Sequence, residues 1–452
     1  MKRSSLHHTA RGWTPPAKQA GAAALIVVMV LFFLVSLVAA YTSRNLVFEQ
    51  RTSANQYRAL QAQEAAEAGI DWALAMLNGG RIDSTCTEAG AAATDTTFRQ
   101  RYLNIDASSG VISPVSTSLW PSCVSSGPGT WSCSCPASGA PTLSAPSGSG
   151  VFPAFRLRFT TNGLSRPGLV RIESNGCTRL SDNCLNHPAT EAELEGRASI
   201  AVVVALSSAL PTPPGAALTV YGNAAGSVPA SAFSVYNTDT GTDTGIGGLT
   251  VHASGSINAG GYTLRSVPGT PAAASIMEEP GLSDLAAAAD RAFASYFSMW
   301  PSTFRNQPAA LRIDCPTTGC SNLLQTTAAM NPDRVIWVTG PNGLTLEAPA
   351  TIGSAPGAST AAGPVVLVVD GPVNFTASGT LRIHGLLYTR SGNWQGTNAA
   401  EIQGAAVVEG HLADTARAVV VKNNAVLRSL RLRSGSFVRA PSGWDDFRER
   451  AP

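Results

Sequence analysis

The chain has 452 residues, 44% of them hydrophobic and only 13% charged, with 43 Gly, 29 Pro and a formal net charge of +2. So small a charge over this length leaves no electrostatic footprint for a phosphate backbone, so no nucleic acid partner is expected, and the apolar content excludes wholesale disorder. At roughly 100 to 200 residues per domain, the length suggests two or three folded units rich in β structure and loops.

The N-terminus carries Lys2, Arg3, Arg11 and Lys18 with no acid, and no further charge occurs before Arg44. Ala20 to Ser43 is roughly two dozen uncharged residues, about 36 Å as a helix against a hydrocarbon core of about 30 Å, which predicts one membrane span. All four cations precede it, which places Met1 in the cytoplasm and everything after Arg44 outside. The helical signal does not stop at the membrane. From Arg44 to Asn78 there is no Pro and the only Gly is Gly69, while Tyr57, Leu60, Ala68, Trp72 and Met76 recur at helical spacing among Arg58, Gln61, Glu64 and Glu67. Asn78-Gly79-Gly80 is a strong stop. One helix from about Ala22 to Asn78 is therefore predicted, close to 80 Å long. On hydropathy alone this is a signal-anchor followed by a juxtamembrane stalk.

The residues say more than the hydropathy. Lys18-Gln19-Ala20-Gly21-Ala22-Ala23-Ala24-Leu25-Ile26-Val27-Val28, followed by Glu49-Gln50-Arg51-Thr52 and Gln63-Glu64-Ala65-Ala66-Glu67-Ala68-Gly69, resembles the N-terminal region of PilX-type minor pilins of type IV pili. The resemblance covers about the first 80 residues. It implies a basic leader, residues 1–21, cut by a prepilin peptidase between Gly21 and Ala22, and an assembly helix, residues 22–80, that packs in a filament core. It implies as partners other major and minor pilins, the inner-membrane assembly machinery and the peptidase, with passage from inner membrane to cell surface. The small residues Ala22, Ala23, Ala24, Ser36, Ala39 and Ala40 permit close lateral packing of such helices. One position departs from the pattern: where most pilins carry Glu at the fifth mature position, this chain has Ile26. A subunit without that carboxylate leaves the ammonium of a neighbour uncompensated in an apolar core, so it suits a tip better than a repeating position. A minor pseudopilin of a type II secretion system would lack the Glu too.

All eight Cys lie beyond the span, and an even count in an exported region reads as disulfides. Cys177 with Cys184 and Cys315 with Cys320 bracket turn residues and are expected to pair locally. Cys86, Cys123, Cys133 and Cys135 admit three connectivities. A zinc site is the alternative, but the Cys-x4-Cys loop has no matching second pair and His187 is the only nearby His.

Residues 81–210 read as a pilin-like head, irregular over 81–150 as a disulfide-stapled excursion, then with strands at Phe155–Phe159, Leu169–Ile172 and Ala198–Ala205. Arg171 to Gly176 looks like a strand-and-turn phrase. Pro211 to Gly215 is a stiff boundary. Over 216–452 the texture changes to short apolar strands with glycine corners, such as Val335–Val338, Val365–Val369, Leu386–Tyr388 and Ala405–Val408, which suggests a β-solenoid, with an irregular sandwich as the alternative. The closing phrase Gly435 to Trp444 looks like the long C-terminal extension of some large PilX-like proteins. The fold class is α+β. A helix is expected at Leu285–Met299, N-capped by Ser283, whose aromatic side is read as core rather than as a partner-binding stripe; Trp394 and Trp444 are read as capping core ends rather than stacking on sugars.

No nucleophile elbow, zincin, phosphate-loop or dinucleotide motif occurs, and His187, His252, His384 and His411 stand singly. A non-enzymatic assembly protein without cofactor is expected, displaying its β-rich extension for adhesion to a host or surface ligand, or for priming of assembly. The best metal candidate is a weak one for Ca²⁺, the loop Asn237 to Gly245 with Asp239 and Asp243, which lacks the bidentate Glu of an EF-hand. A membrane-anchored surface protein acting on or binding polysaccharide is the rival outside the pilin class.

Overall fold

A computed structural model describes residues 20–90, 95–127, 129–147, 151–161, 166–180, 196–222, 233–238, 248–257, 262–287, 290–341, 343–358, 362–390, 394–412 and 415–445. The chain divides into two compact units, Met1–Leu60 and Gln61–Pro452. A single α-helix, Ala20–Leu77, runs through the boundary, two residues longer at its start than the expected Ala22 and ending at the Asn78-Gly79-Gly80 stop.

In the second unit the helix end lies on a six-stranded antiparallel sheet. Its strands run in the order Gly435–Asp445, Arg197–Ser208, Leu169–Cys177, Ala154–Thr160, Ser122–Gly127 and Thr130–Ser134. Ala66, Ile70, Ala73 and Leu77 pack there with Phe155, Leu157, Phe159, Val170, Ile172 and Val202. Two glycines set how close the helix lies. A Cβ on Gly176 would stand 2.0 Å from the Ala62 carbonyl oxygen and 2.5 Å from the Ala66 amide nitrogen, and one on Gly69 would meet Ser174 at 2.3 Å. The small residues of the Ala65-Ala66-Glu67-Ala68-Gly69 segment are thus the helix's half of a close helix–strand contact.

Three expectations for this region are corrected. Asn175-Gly176 is no turn: both residues pair on both sides within a continuous strand that runs on to Cys177, because Gly176 is needed where the helix crosses. Residues 81–150 are not merely an excursion, since they supply the edge hairpin Ser122–Ser134 and the buried short helix Phe98–Tyr102. The closing strand Gly435–Asp445 pairs with Arg197–Ser208, so the segment after 216 does not run outward as one extension. The region between is inserted into the head sheet.

That insertion is a stack of parallel strands. In one ladder Ala310–Asp314 pairs with Val335–Thr339, then Val365–Val369, then the second halves of Leu381–Thr389 and Ala400–Val408, then Leu218–Val220, Val251–Ala253 and Ile276–Glu278. A second ladder joins Leu344–Leu346, Val373–Phe375 and Trp394–Gly396. Every described strand pair from Leu218 to Lys422 is parallel, whereas a sandwich is built from antiparallel pairs. In the long strands Leu381–Thr389 and Ala400–Val408, Gly385 and Gly404 lie in register. Their φ values of 154° and 150°, and Cβ positions within 2.0 Å of the neighbouring backbone, admit only glycine.

The order of the stack departs from the order of the chain. The chain enters at Leu218 beside Ala400–Val408, builds to Ile276–Glu278, then returns through the helices Gly281–Ala287, Arg291–Phe297 and Pro301–Phe304 to start the far end at Ala310. Strands then accumulate back toward the entry. Entry and exit therefore lie side by side, the arrangement that lets a large insertion leave its host sheet intact.

Inward side chains such as Leu218, Phe233, Leu367, Phe375, Leu387 and Trp394 form one core. Val366, Val368, Trp337, Leu386, Tyr388 and Val407 point the other way and are covered by Phe293, Phe297 and Phe304 and by Val426, Leu427 and Leu430 of the helix Asn424–Leu432. Burial on both faces explains the unbroken run Val365–Val369, as parallel sheets require. The expected helix Leu285–Met299 is broken in two, with Asp290 between the halves in the left-handed region at φ 65°. Its Phe293 and Phe297 are core. So is Trp394, while Trp444 is 40% exposed and lies under the Arg439 guanidinium.

Cys86 pairs with Cys135, Cys123 with Cys133 directly across the hairpin, and Cys315 with Cys320 as expected. Cys177 is also disulfide-bonded; its expected partner Cys184 lies outside the described residues. Peptide mapping of the unreduced protein is expected to recover Cys86 cross-linked to Cys135 and Cys123 to Cys133. A Cys86–Cys123 or Cys86–Cys133 peptide would contradict this arrangement.

Candidate assembly helix and its junction with the head

In the first unit, Leu25 to Val38 presents its apolar side chains to the surroundings all round the helix; Phe32 is 74% and Phe33 67% exposed. A soluble protein does not leave so continuous an apolar surface uncovered. The helix is long and apolar enough to cross a membrane. The anticipated assembly residues Ala23, Ala24, Ile26, Ser36, Ala39 and Ala40 all lie exposed on it. Ser36, Ala39 and Ala40 share one face by their spacing. Gly21 and Ala22 fall within its first turn. Residues 1–19 lie outside the described residues. Ile26 supplies no carboxylate, as its identity dictates.

The C-terminal end of the same helix lies in the second unit and is held there by groups that no sequence pattern singles out. Asn78 donates from Nδ2 to the carbonyls of Leu74 and Phe437, each at 2.9 Å, and accepts the Phe437 amide at 2.8 Å, so one side chain acts as a strand partner for the closing strand. Arg99, 2% exposed, donates to the carbonyls of Leu77 and Gly435 at 2.9 Å and of Asp333 and Arg433 at 3.4 Å, and its guanidinium lies 5.0 Å from the Phe437 ring centre. Burial lowers its pKa to about 10, which still leaves it charged at neutral pH. The Leu77 carbonyl is at the negative end of the helix dipole, which favours a cation there. Arg101 likewise holds the carbonyls of Ile82, Asp83 and Cys135 at 2.7 Å. An Arg pair with i, i+2 spacing beside aromatic residues was the only sequence signal for these roles.

Residues 20–71 match a family model described as PilX N-terminal. The chain carries a type IV pilin-like N-terminal helix. A crystal structure of the competence-associated pilin ComZ from Thermus thermophilus aligns at 11% identity over 86% of this chain and 97% of that one, with a TM-score of 0.20, too low for one fold to inform the other. No curated protein matches the chain. The pilin-like stretch thus covers the exposed apolar helix and the start of its contact with the head.

Elsewhere, among the described residues, the anticipated chemistry-bearing residues do not converge. Among the described residues no three His, Cys, Asp or Glu side chains gather as a metal site. Asn237 is buried and donates from Nδ2 to the Leu249 carbonyl at 2.8 Å, while Asp239, Asp243 and His187 lie outside the described residues. Cys315 and Cys320 are bonded to each other and so offer no thiolate to zinc. His252 meets Glu279 at 2.8 Å, and burial pushes His384 down, reinforced by Arg382.

A half-buried polar cluster lies where successive strands of the stack end. Asp370, Arg390, Glu409 and Tyr221 follow successive strands, each amide bonded to the carbonyl of the strand below. Arg390 pairs with Asp370 at 3.2 Å and with Asp290, Tyr388 donates to Glu409, and Tyr221 donates to Tyr296 at 3.1 Å. Burial pushes the Glu409 carboxyl up to about 7, with Asp290 and Asp370 adding to the rise and Tyr388 and Arg390 opposing it. The folded chain therefore holds a proton that the unfolded chain releases from the ordinary carboxylate range upward. Stability is expected to fall as pH rises through that window to about 7, by on the order of 2 kcal/mol, and Glu409→Gln is expected to flatten this slope. Urea midpoints at pH 5 and pH 8 for the two proteins check it.

Proposed function

We propose that this protein is a minor pilin of a type IV pilus: a non-enzymatic subunit that waits in the inner membrane with its N-terminus in the cytoplasm and enters the filament by its helix. One observation carries the reading. A single unbroken helix, matched over residues 20–71 by the PilX N-terminal model, is apolar and exposed from Leu25 to Val38 and ends packed on an antiparallel sheet. The same surface suits lipid before assembly and other pilin helices after it. Ile26 in place of an acid favours a terminal position, where no further subunit must be bound from above. The parallel ladders are read as coils of a β-solenoid, carried outward on the head to serve adhesion or priming.

Mass analysis of the protein from cells with and without prepilin peptidase tests the reading. The expected result is a new N-terminus at Ala22 that depends on the peptidase, and recovery of the mature chain with sheared pili. An intact leader in both strains would overturn it in favour of a permanently anchored surface protein.

A further inference from the structure

The stretch of helix just past the apolar run has a patterned face. Arg44, Arg51 and Arg58 recur every seven residues, which at about 100° per residue keeps them on one narrow stripe. Tyr41 and Phe48 repeat at the same interval and flank it, 65% and 72% exposed. Tyr41, Arg44, Asn45, Val47, Phe48 and Arg51 together line an open groove along the helix. The one acid of this stretch, Glu49, projects to the opposite side by its spacing, and Arg44 and Arg51 form no ion pair among the described residues. A solvated stalk has no use for two exposed aromatic rings beside unpaired guanidinium groups.

Position along the helix selects the occupant. If the hydrocarbon layer begins near Ala22, about 20 residues bring its far boundary to Tyr41, where aromatic side chains sit at the interface. Arg44 is then one turn beyond, and Arg51 about 10 Å further out, within reach of the headgroup layer once the long Arg side chain bends back toward the membrane. Arg58, about 21 Å past Arg44, lies clear of that layer. Guanidinium groups recognise phosphate oxygens in a bidentate manner, and basic residues next to a span bind anionic lipid surfaces.

We propose that Arg44 and Arg51, flanked by Tyr41 and Phe48, form a binding groove for the phosphate headgroup of an anionic phospholipid in the leaflet that the helix leaves. The proposal rests on the reading of the apolar segment as a membrane span. It gives the unassembled subunit a fixed depth in the bilayer, and it makes release of the headgroup part of the cost of extraction from the membrane.

The test uses native mass spectrometry of the full chain in mild detergent, with phosphatidylglycerol and phosphatidylethanolamine of the same acyl chains as probes. Wild-type protein is expected to retain phosphatidylglycerol over phosphatidylethanolamine by about tenfold, and the double variant Arg44→Gln, Arg51→Gln to bind both alike. Arg58→Gln is expected to keep the preference. Equal retention of the two lipids by the wild type, or a preference that survives the double variant, overturns the proposal. So does an unchanged lipid preference with loss of co-purifying pilins, which would make the stripe a dock for an acidic helix. Carbonate extraction of membranes separates the two readings: a wild-type chain that washes off refutes the span itself, whereas one that stays in the pellet leaves only the headgroup groove at stake.

Discussion

Replacing Arg99 by Met is expected to destabilise the protein by about 4 kcal/mol, and to do so by separating the head from the inserted stack. The guanidinium is buried where three pieces of chain far apart in sequence meet: the end of the long helix at Leu77, the start of a stack strand at Asp333, and the return to the head at Arg433 and Gly435. Met fills much of the same volume, so packing alone would cost little. What it cannot supply is donors. Carbonyls facing the vacated site lose their partner, each at about 1 to 3 kcal/mol when buried, although Asp333 retains the Gly435 amide at 3.0 Å. Lys in the same place brings a charge on a point-like ammonium that cannot reach all four oxygens, so Arg99→Lys should fall between the two. Urea denaturation of the detergent-solubilised protein, followed by tryptophan fluorescence, measures the difference. A loss under about 1 kcal/mol for Arg99→Met would mean that water reaches the junction and that the arginine is not what closes it.

A still larger effect is expected for Gly176→Val. The added Cβ alone would overlap the Ala62 carbonyl oxygen and the Ala66 amide nitrogen, which belong to the helix backbone and cannot turn aside as a side chain would. The helix must lift from the sheet or the strand must bulge, and either uncovers the cluster around Phe155, Ile172 and Ile70. Overpacking ordinarily costs 1 to 3 kcal/mol, roughly; with backbone on the far side the cost should exceed about 4 kcal/mol, enough to prevent accumulation of a folded head. Gly90→Ala is the control. A Cβ there meets nothing within 4 Å, so it should change stability by less than about 0.5 kcal/mol. If Gly176→Val accumulated and unfolded like the wild type, the helix could not lie on the sheet as described.

Both predictions concern contacts that no local pattern announces. Helix and strand existence came through because they depend on side-chain period: the apolar run from Ala22, the stop at Asn78-Gly79-Gly80, and the β-branched runs Val335–Val338 and Val365–Val369 all appear where expected. The pairing of Cys315 with Cys320 needed only proximity in sequence. By contrast, Asn175-Gly176 carries turn composition yet lies mid-strand, because the helix above excludes a side chain; propensity had no access to that helix. The helix predicted through Leu285 to Met299 breaks at Asp290, whose carboxylate pairs with Arg390, just past the end of a strand a hundred residues later.

Sequence by itself determined the elements: a span-length apolar helix continuing into a head, a β-rich remainder, and disulfide-forming cysteines beyond the span. These follow from periodicity, charge placement and residue type, which act within a few turns of chain. Tertiary structure alone decided which cysteines of the first four pair, that Gly435–Asp445 belongs to the head sheet, and that the stack begins in its middle, with Leu218–Val220 beside Ala400–Val408. Those are choices among strands of similar local preference. They are settled by which non-local pairing buries both faces of a parallel ladder and leaves the entry and exit of the insertion side by side, a condition that spans more than two hundred residues and is written in no single stretch of them.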